Sequence, residues 1–315
     1  MKDLISIIIP TYNRADLIHE TLNSIQSQTY TNWECIIIDD HSNDNTIDVI
    51  SKHVKEDSRF LLFKRPEDKV KGANACRNYG FTLVKGEYIN WFDSDDIMEP
   101  NFIEEKIKHI KPTVDAVLHR NKYANYILTR FRDSKFEYDN NSLFYNYAME
   151  HIEIQTSGFM WKRSFLENKK LFDETITRYQ DNEFHIRMLA FKPNVKIINI
   201  ILAIIRGGDG DKNQISSKTS LSKKKLYDIF YYRFQCLKLA KENQFYLGEK
   251  FNKVLAKKAL WAFYSMLRFE PNFIKKLRDV CKYYSKIRFV YSNPQISYLD
   301  MLRSQLYILK IIIFK

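Results

Sequence analysis

Hydrophobic and polar positions in the first half of the chain alternate between short β-branched runs and stretches whose apolar residues recur every three or four positions. Strands are predicted at 4–9, 34–38, 60–63, 88–92 and 116–119. Between the first two, Leu17, Ile18, Leu22 and Ile25 line one helix face, with Asn13 three positions before Asp16 as in a capping box. A second helix is expected at Thr46, with Asp44 or Asn45 as its cap, and a third over 74–84, closed by Gly86. This alternation implies crossover units and a mostly parallel sheet.

From 123 to 147 the pattern turns irregular and aromatic, as in a hairpin or an insertion, before 159–162 reads as another strand. A helix starting about Asn182, with Phe184, Met188, Leu189 and Phe191 as its core face, and a strand over 196–205 complete the pattern. The stretch 206–222 holds Gly207, Gly208, Gly210 and five serines or threonines, and reads as a loop. It divides the chain into an α/β domain, 1–215, and a C-terminal helical region, 216–315.

Charge sharpens that division. Residues 1–215 carry 29 basic and 32 acidic side chains, whereas 216–315 carry 21 basic and 6 acidic. The basic excess therefore belongs to the last third, which is also rich in aromatics such as Tyr231, Tyr232, Phe234, Trp261, Phe263 and Tyr264 and ends in the apolar run 309–314. A polyanionic partner is considered for that region alone, and an anionic membrane surface fits it better than nucleic acid, for which no recognisable module is present. The longest apolar runs are too short to span a bilayer, and the first residues run straight into a strand pattern without a signal-peptide core. Four widely spaced cysteines without a C-x-x-C pair suggest reduced thiols. A cytoplasmic protein, peripheral on the inner face of the membrane, is the expectation.

Candidate chemistry lies where the predicted strands end, because ligands in open parallel sheets sit outside the strands' carboxyl ends. Ile7-Ile8-Ile9 is followed by Pro10-Thr11-Tyr12-Asn13, Ile36-Ile37-Ile38 by Asp39-Asp40, and Ile89-Asn90-Trp91-Phe92 by Asp93-Ser94-Asp95-Asp96. Neither a G-x-G-x-x-G turn nor a P-loop is present, so a nucleotide would be held by carboxylates, hydroxyls and a metal rather than by a glycine cradle. Crowded carboxylates on one turn repel each other, and a divalent cation bridging to phosphate relieves that. The competing readings are structural: an acidic turn capping the next helix for Asp93–Asp96, and a solvated turn before Thr46 for Asp39-Asp40.

The stretches "SIIIPTYNR", "IIIDDHSNDNT", "KGANACRNYGF", "GEYINWFDSDD" and "QDNEFHIRM" occur in the order and spacing of glycosyltransferase family 2, which the chain resembles over roughly 4–206. The resemblance implies the GT-A fold of nucleotide-diphospho-sugar transferases, α/β with a mainly parallel sheet, here followed by the small helical domain. It implies an inverting enzyme that takes a nucleotide-sugar donor, most often a UDP-sugar, and a glycan or lipid-linked acceptor. By resemblance, Pro10, Thr11 and Tyr12 lie beside the nucleoside, Asp40 contacts the base and Arg77 approaches the nucleotide. Asp93 faces the ribose or metal side, Asp95 ligates Mg²⁺ or Mn²⁺, and Asp181 is the catalytic base. From local pattern alone, Asp181 reads as an N-cap for the helix at Asn182, and a helix start that fixes the carboxylate serves either purpose.

Two positions depart from the family. Gln180 stands where a glutamate usually precedes the base, which points to hydrogen bonding rather than a second acid. After the last strand, where relatives carry a histidine near an arginine, the chain has Arg206-Gly207-Gly208-Asp209-Gly210-Asp211, which reads as a flexible acidic loop, with Asp209 or Asp211 as the candidate if anything replaces the histidine. Ser157-Gly158 resembles the acceptor-side loop, and Trp161 is either a sugar platform or a core residue. His41, His119 and His185 have no metal-ligand spacing and are given no role. Two other functions fit less well: a sugar-phosphate nucleotidyltransferase would need a Gly-rich basic loop after the first strand, and a non-catalytic nucleotide- or glycan-binding module would have lost Asp95 or Asp181.

Overall fold

The structure, a computed structural model, describes residues 3–138, 142–207, 222–245, 247–270 and 272–291. Their contacts divide the chain into two compact units. The first comprises the described residues of Met1–Phe136, Ile152–Thr175 and Lys192–Gln214, and the second those of Glu137–His151, Ile176–Phe191 and Ile215–Lys315. A single cut near Ser216, which lies outside the described residues, is thus not how the contacts fall: 137–151 and 176–191 group with the C-terminal helices.

The first unit is built on β1 (Ile5–Thr11), β2 (Trp33–Asp39), β3 (Phe60–Lys64) and β4 (Tyr88–Trp91), crossed over by α1 (Ile18–Gln26), α2 (Thr46–Glu56) and α3 (Ala73–Leu83). These four strands are mutually parallel in the order β3-β2-β1-β4. Every residue of β1 and β2 is buried, as parallel strands covered on both faces require. Ile5, Ile7 and Ile9 pack with Ile18, Leu22 and Ile25 on one face, and Ile36 and Ile38 with Cys76 on the other. Gly80 lets α3 lie directly on β1, since an added Cβ would stand 2.5 Å from Ile8 Cγ2. Gly86 does not close α3, which ends at Leu83; its missing side chain admits the carbonyl oxygen of Leu4, 2.6 Å from where a Cβ would be.

The sheet continues with β5 (Ile97–Met98), β6 (Ala116–Ala124), β7 (Phe131–Asp133), β8 (Phe159–Lys162) and β9 (Val195–Arg206), accompanied by α4 (Phe102–Ile107). Its order is β3-β2-β1-β4-β8-β6-β9-β5, with β7 paired to β6. β6 and β9 are parallel, while β8 runs antiparallel to β4 and β6, and β5 antiparallel to β9. The irregular aromatic stretch resolves into a β6–β7 hairpin followed by α5 (Leu143–Ala148). Trp161 is fully buried between Phe159 and Phe165, ring centroids 4.6 and 5.4 Å away, and is a core residue rather than a sugar platform. A short α6 (Arg163–Leu166) follows β8.

The second unit packs α5 with α7 (Gln180–Ala190), α8 (Lys223–Glu242), α9 (Gly248–Arg268) and α10 (Phe273–Tyr291). Aromatics draw α5 into it: Phe144 stacks on Phe245 at 4.7 Å and Tyr145 on Phe251 at 5.6 Å. Glu150, which follows α5, pairs with buried Arg233 of α8 and with Lys258 of α9 at 2.5 Å. Of the residues expected on the core face of α7, Phe184, Met188 and Leu189 are buried, but Phe191 is 57% exposed because the helix stops before it and it caps the C-terminus. All four cysteines are free thiols. Among the described residues no helix is long and apolar enough to cross a membrane.

Candidate active site

The carboxyl ends of β1 and β2 meet through a hydrogen bond from the Asp40 amide to the Thr11 carbonyl, 2.8 Å. Pro10 is buried within β1, and Tyr12 is exposed, with the Lys71 ammonium 4.0 Å from its ring centre. Asn13 adopts a left-handed conformation, φ 51°, and does not cap α1; its side-chain Oδ1 instead accepts from the Asn43 backbone amide at 2.9 Å, and its own backbone amide donates to Ser42 Oγ. Asn13 thereby ties the two post-strand loops together. Asp39 is buried and accepts from the Ser42 amide, and Asp40 is buried in an ion pair with Arg65. Thr11 is almost completely buried, yet its hydroxyl has no hydrogen-bond partner among the described residues. A buried hydroxyl without a partner costs on the order of 1–3 kcal/mol, which a ligand atom at this strand end would recover.

Helix α3 brings Arg77 to the end of β4. Its guanidinium donates to Asp93 Oδ1 at 2.7 Å and to Asn74 Oδ1 at 3.0 Å, and lies 5.1 Å from the Phe172 ring centre. Asn74 and Asn78 in turn donate to the carbonyls of Asp173 and Phe172. Asp173 is itself held by Thr175 and Lys170: although burial opposes ionisation, those hydrogen bonds bring its carboxyl down to about 2. The guanidinium is thus fixed by packing and by the 172–175 loop before any ligand arrives.

Asp93 to Asp96 form the tight connection from β4 to β5. The Phe92 amide still donates to the Ile8 carbonyl, so the turn begins where the sheet ends. Asp93 keeps 32% of its side chain exposed; Asp95 keeps 13% and pairs with Arg14 at 3.3 Å. Asp96 is buried, and burial followed by the charges of Asp95 and Asp93 pushes its carboxyl well above the ordinary range. Arg206 at the end of β9 answers that crowding. Because Ile97 pairs with Ile204, the last residue of β9 falls beside the turn; its amide donates to Asp96 Oδ1 and its Nε to the Asp95 carbonyl, both at 2.8 Å, while Nη2 reaches Glu20 at 2.7 Å. Arg206 thus meets the acidic turn; Asp209 and Asp211, the candidates the sequence offered after the last strand, lie outside the described residues.

Among the described residues no three histidine, cysteine or acidic side chains group as a complete metal cage. The donor set at the turn is one or two carboxylates, which would suit Mg²⁺ or Mn²⁺ sharing its shell with water and phosphate, and a cation there would offset the crowding of Asp93 and Asp95 that, after burial, raises Asp96. A cation that takes Asp95 competes with Arg14 for it.

In the second unit, Asp181 stands in the first turn of α7, partly buried, its Oδ1 accepting from the Asn182 amide at 2.9 Å. The helix starts at Gln180 rather than at Asn182, and its N-cap is Tyr179, which supplies no side-chain bond, so Asp181 is not the cap. A carboxylate at this place is stabilised by the partial positive charge of the helix start. Gln180 Nε2 donates to the Thr177 carbonyl at 3.3 Å, a hydrogen-bonding role in place of an acid. Local pattern does not reveal Arg14, Arg65, Asn74 and Arg206 as partners of these groups; Arg14 lies within "SIIIPTYNR", but only the fold brings it to Asp95.

Comparison with known proteins agrees with this architecture. The family model described as glycosyl transferase family 2 matches residues 6–176. Glycosyltransferase GlyG of Streptococcus pneumoniae is 29% identical over 231 residues, 67% of this chain and 73% of that protein. UDP-Glc:alpha-D-GlcNAc-diphosphoundecaprenol beta-1,3-glucosyltransferase WfaP of Escherichia coli is 40% identical over 128 residues, 41% of this chain and 48% of that one. Residues 1–349 of Staphylococcus aureus TarS, solved with UDP-GlcNAc, superpose with a TM-score of 0.65 at 17% identity, covering 97% of this chain and 92% of the other. The mannosyltransferase PcManGT of Pyrobaculum calidifontis, solved with GDP-Man and Mn²⁺, gives 0.56 at 15% identity over 100% and 88%. At these identities the two structures establish the GT-A fold alone.

Proposed function

The chain belongs to glycosyl transferase family 2, and from that premise we propose that this glycosyltransferase moves a sugar, with inversion, from a UDP-sugar to a hydroxyl of a bacterial glycan or lipid-linked acceptor. The observation that carries the reading is the Asp93–Asp96 turn, where Arg77 and Arg14 pair with Asp93 and Asp95 and the Arg206 amide donates to Asp96, at strand ends where Thr11 buries a hydroxyl without a partner among the described residues. Thr11 and Tyr12 take the nucleoside side, with Pro10 shaping the strand end and Asp40, locked by Arg65, at the base. Arg77 orients Asp93 on the ribose or metal side, and Asp95 would hold Mg²⁺ or Mn²⁺. A bound cation supplies Lewis-acid stabilisation to the departing diphosphate. Asp181 accepts the acceptor hydroxyl's proton as that oxygen bonds to the anomeric carbon; the carbon–phosphate oxygen bond breaks and the nucleoside diphosphate leaves with the electron pair.

The donor class is supported by the UDP-GlcNAc and UDP-Glc named for TarS and WfaP, whereas PcManGT binds GDP-Man. A thermal-shift panel of UDP- and GDP-sugars with and without Mn²⁺ discriminates them. UDP-sugars with Mn²⁺ are expected to raise the melting temperature, since a ligand at about 100 times its Kd adds about 2.7 kcal/mol to the native state. A shift confined to GDP-sugars would overturn the donor class, and no shift with any nucleotide-sugar would overturn the reading.

The acceptor in this proposal sits at the inner face of the membrane, and α9 supports docking there. Its Lys250, Lys253, Lys257, Trp261 and Arg268 are all exposed, and their spacing sets them along one helix face. Trp261 is 57% exposed amid this basic row, the pattern of an interfacial helix. At about 1 kcal/mol per basic residue near anionic lipid, the four give on the order of 4 kcal/mol, enough for reversible docking. The apolar run 309–314, which adds to the argument from sequence, lies outside the described residues. The protein is expected to float with anionic but not neutral vesicles and to release in high salt, and changing the four basic residues to glutamine with Trp261→Ser should abolish flotation. Equal flotation of that variant would remove α9 from the docking face.

A further inference from the structure

We infer that Asp228, a buried carboxylate on α8, is a positioning residue for Asp181: it holds the backbone from which α7 starts and thereby sets where the base stands. The inference rests on the proposed role of Asp181. Asp228 is 1% exposed. Its Oδ2 accepts from the Thr177 amide at 2.8 Å, the Thr177 hydroxyl at 2.9 Å and the Arg178 amide at 3.1 Å, while Lys224, one turn earlier on α8, pairs with Oδ1.

Three donors converging on one oxygen make an anion clamp on a two-residue segment, and charge-assisted bonds of this kind are stronger than neutral ones. The segment needs such a clamp. Tyr179, between it and α7, holds φ at 58°, a left-handed conformation that costs a non-glycine residue roughly 1–3 kcal/mol and persists only where the surroundings impose it. Those surroundings are again α8: Tyr179 stacks on Tyr232 at 5.1 Å, and the Arg233 guanidinium lies 5.6 Å from the Tyr179 ring centre and 4.9 Å from that of Tyr232. Asp228, Tyr232 and Arg233 lie within little more than one turn of α8 and grip Thr177, Arg178 and Tyr179 in register. Two residues later comes Asp181. The Glu183 amide donates to the Tyr179 carbonyl at 2.8 Å, so the first turn of α7 inherits its orientation from the clamped residue.

A purely structural carboxylate would stabilise the fold without favouring the chemical step. The two roles separate in a cycle of Asp228→Ala, Asp228→Asn, Asp181→Asn and the Asp228→Ala/Asp181→Asn double variant, each assayed for turnover with saturating substrates, for UDP affinity with Mn²⁺ by calorimetry and for melting temperature. Displacing a catalytic group by about 1 Å costs on the order of 10²-fold. Asp228→Ala is therefore expected to lower kcat by roughly 10- to 100-fold with UDP affinity unchanged, and Asp228→Asn, whose amide oxygen can still accept from the clamped segment, should restore most of it. On the Asp181→Asn background, Asp228→Ala should cause no further loss, because a positioning residue has nothing left to position. Should Asp228→Ala not fold, Thr177→Ala removes one donor of the clamp and is expected to lower kcat several-fold in the wild-type background only. Wild-type turnover in folded Asp228→Ala, or an equal loss in both backgrounds, would overturn the positioning role while leaving Asp181 as the base. Wild-type turnover in Asp181→Asn would overturn the reading of Asp181 and this inference with it.

Discussion

Asp181→Asn is expected to bind donor as the wild type does and to turn over more slowly by the roughly 10² to 10⁴ usual for losing a general base. That is about 2.7 to 5.4 kcal/mol of transition-state stabilisation, the largest effect expected of any single substitution in this chain. The amide keeps an oxygen that can accept from the Asn182 amide, the bond Asp181 Oδ1 makes at 2.9 Å, but it cannot carry away the acceptor hydroxyl's proton. Little stability should be lost. Asp181 sits inside the first turn, not at the cap, so what the substitution removes from the helix is one favourable charge at its start, worth roughly 0.3–1 kcal/mol. Turnover at saturating donor and acceptor, donor affinity by calorimetry and a melting curve decide the matter together. Near wild-type turnover would reduce Asp181 to a helix-start carboxylate.

That prediction also marks the limit of the sequence. Periodicity located β1 to β4 and their crossover helices, because β1, β2 and β4 are continuous buried runs, β3 is a short apolar one and each helix shows one apolar face; the polar residues after those runs then located Thr11, Asp40 and Asp93 to Asp96. What periodicity misses is what is short or remote. β5 is two residues long and α4 six, too brief for either period to register. Phe191 satisfied the helical spacing but lies just beyond the last turn, where the core face no longer exists. The partners of the candidate groups are remote: Arg206 bonds Asp96 across 110 positions and Asp228 bonds Thr177 across 51, pairings that sheet register and helix packing create and that no local pattern contains. The same remoteness explains why 176–191 groups with the C-terminal helices although charge and composition place it in the first domain.

Removing Asp95 tests the other half of the chemistry, and its expected consequences run in opposite directions. Asp95→Ala should abolish metal-dependent nucleotide binding: Asp95 is the carboxylate proposed to ligate the ion directly, and Asp93, engaged by Arg77 at 2.7 Å, does not take its place. The fold should survive and lose little stability near neutrality. Burial and then the charges of Asp95 and Asp93 hold the Asp96 carboxyl well above its ordinary range, so the native state binds that proton more tightly than the unfolded chain does. A raised carboxyl of this kind favours the native state at low pH, and the advantage is lost as the pH climbs through the native value. Taking away the Asp95 charge lowers the Asp96 carboxyl toward its ordinary position, so without metal the variant's melting temperature should fall less steeply than the wild type's from about pH 4 toward neutrality. Set against this is the Arg14–Asp95 pair at 3.3 Å, a partly exposed contact worth on the order of 1 kcal/mol or less. Calorimetry of UDP with and without Mn²⁺ gives the first result and paired melting curves across pH the second. Unchanged metal-dependent affinity in the variant would remove Asp95 from the metal site, and parallel pH profiles would mean that its charge does not hold Asp96 up.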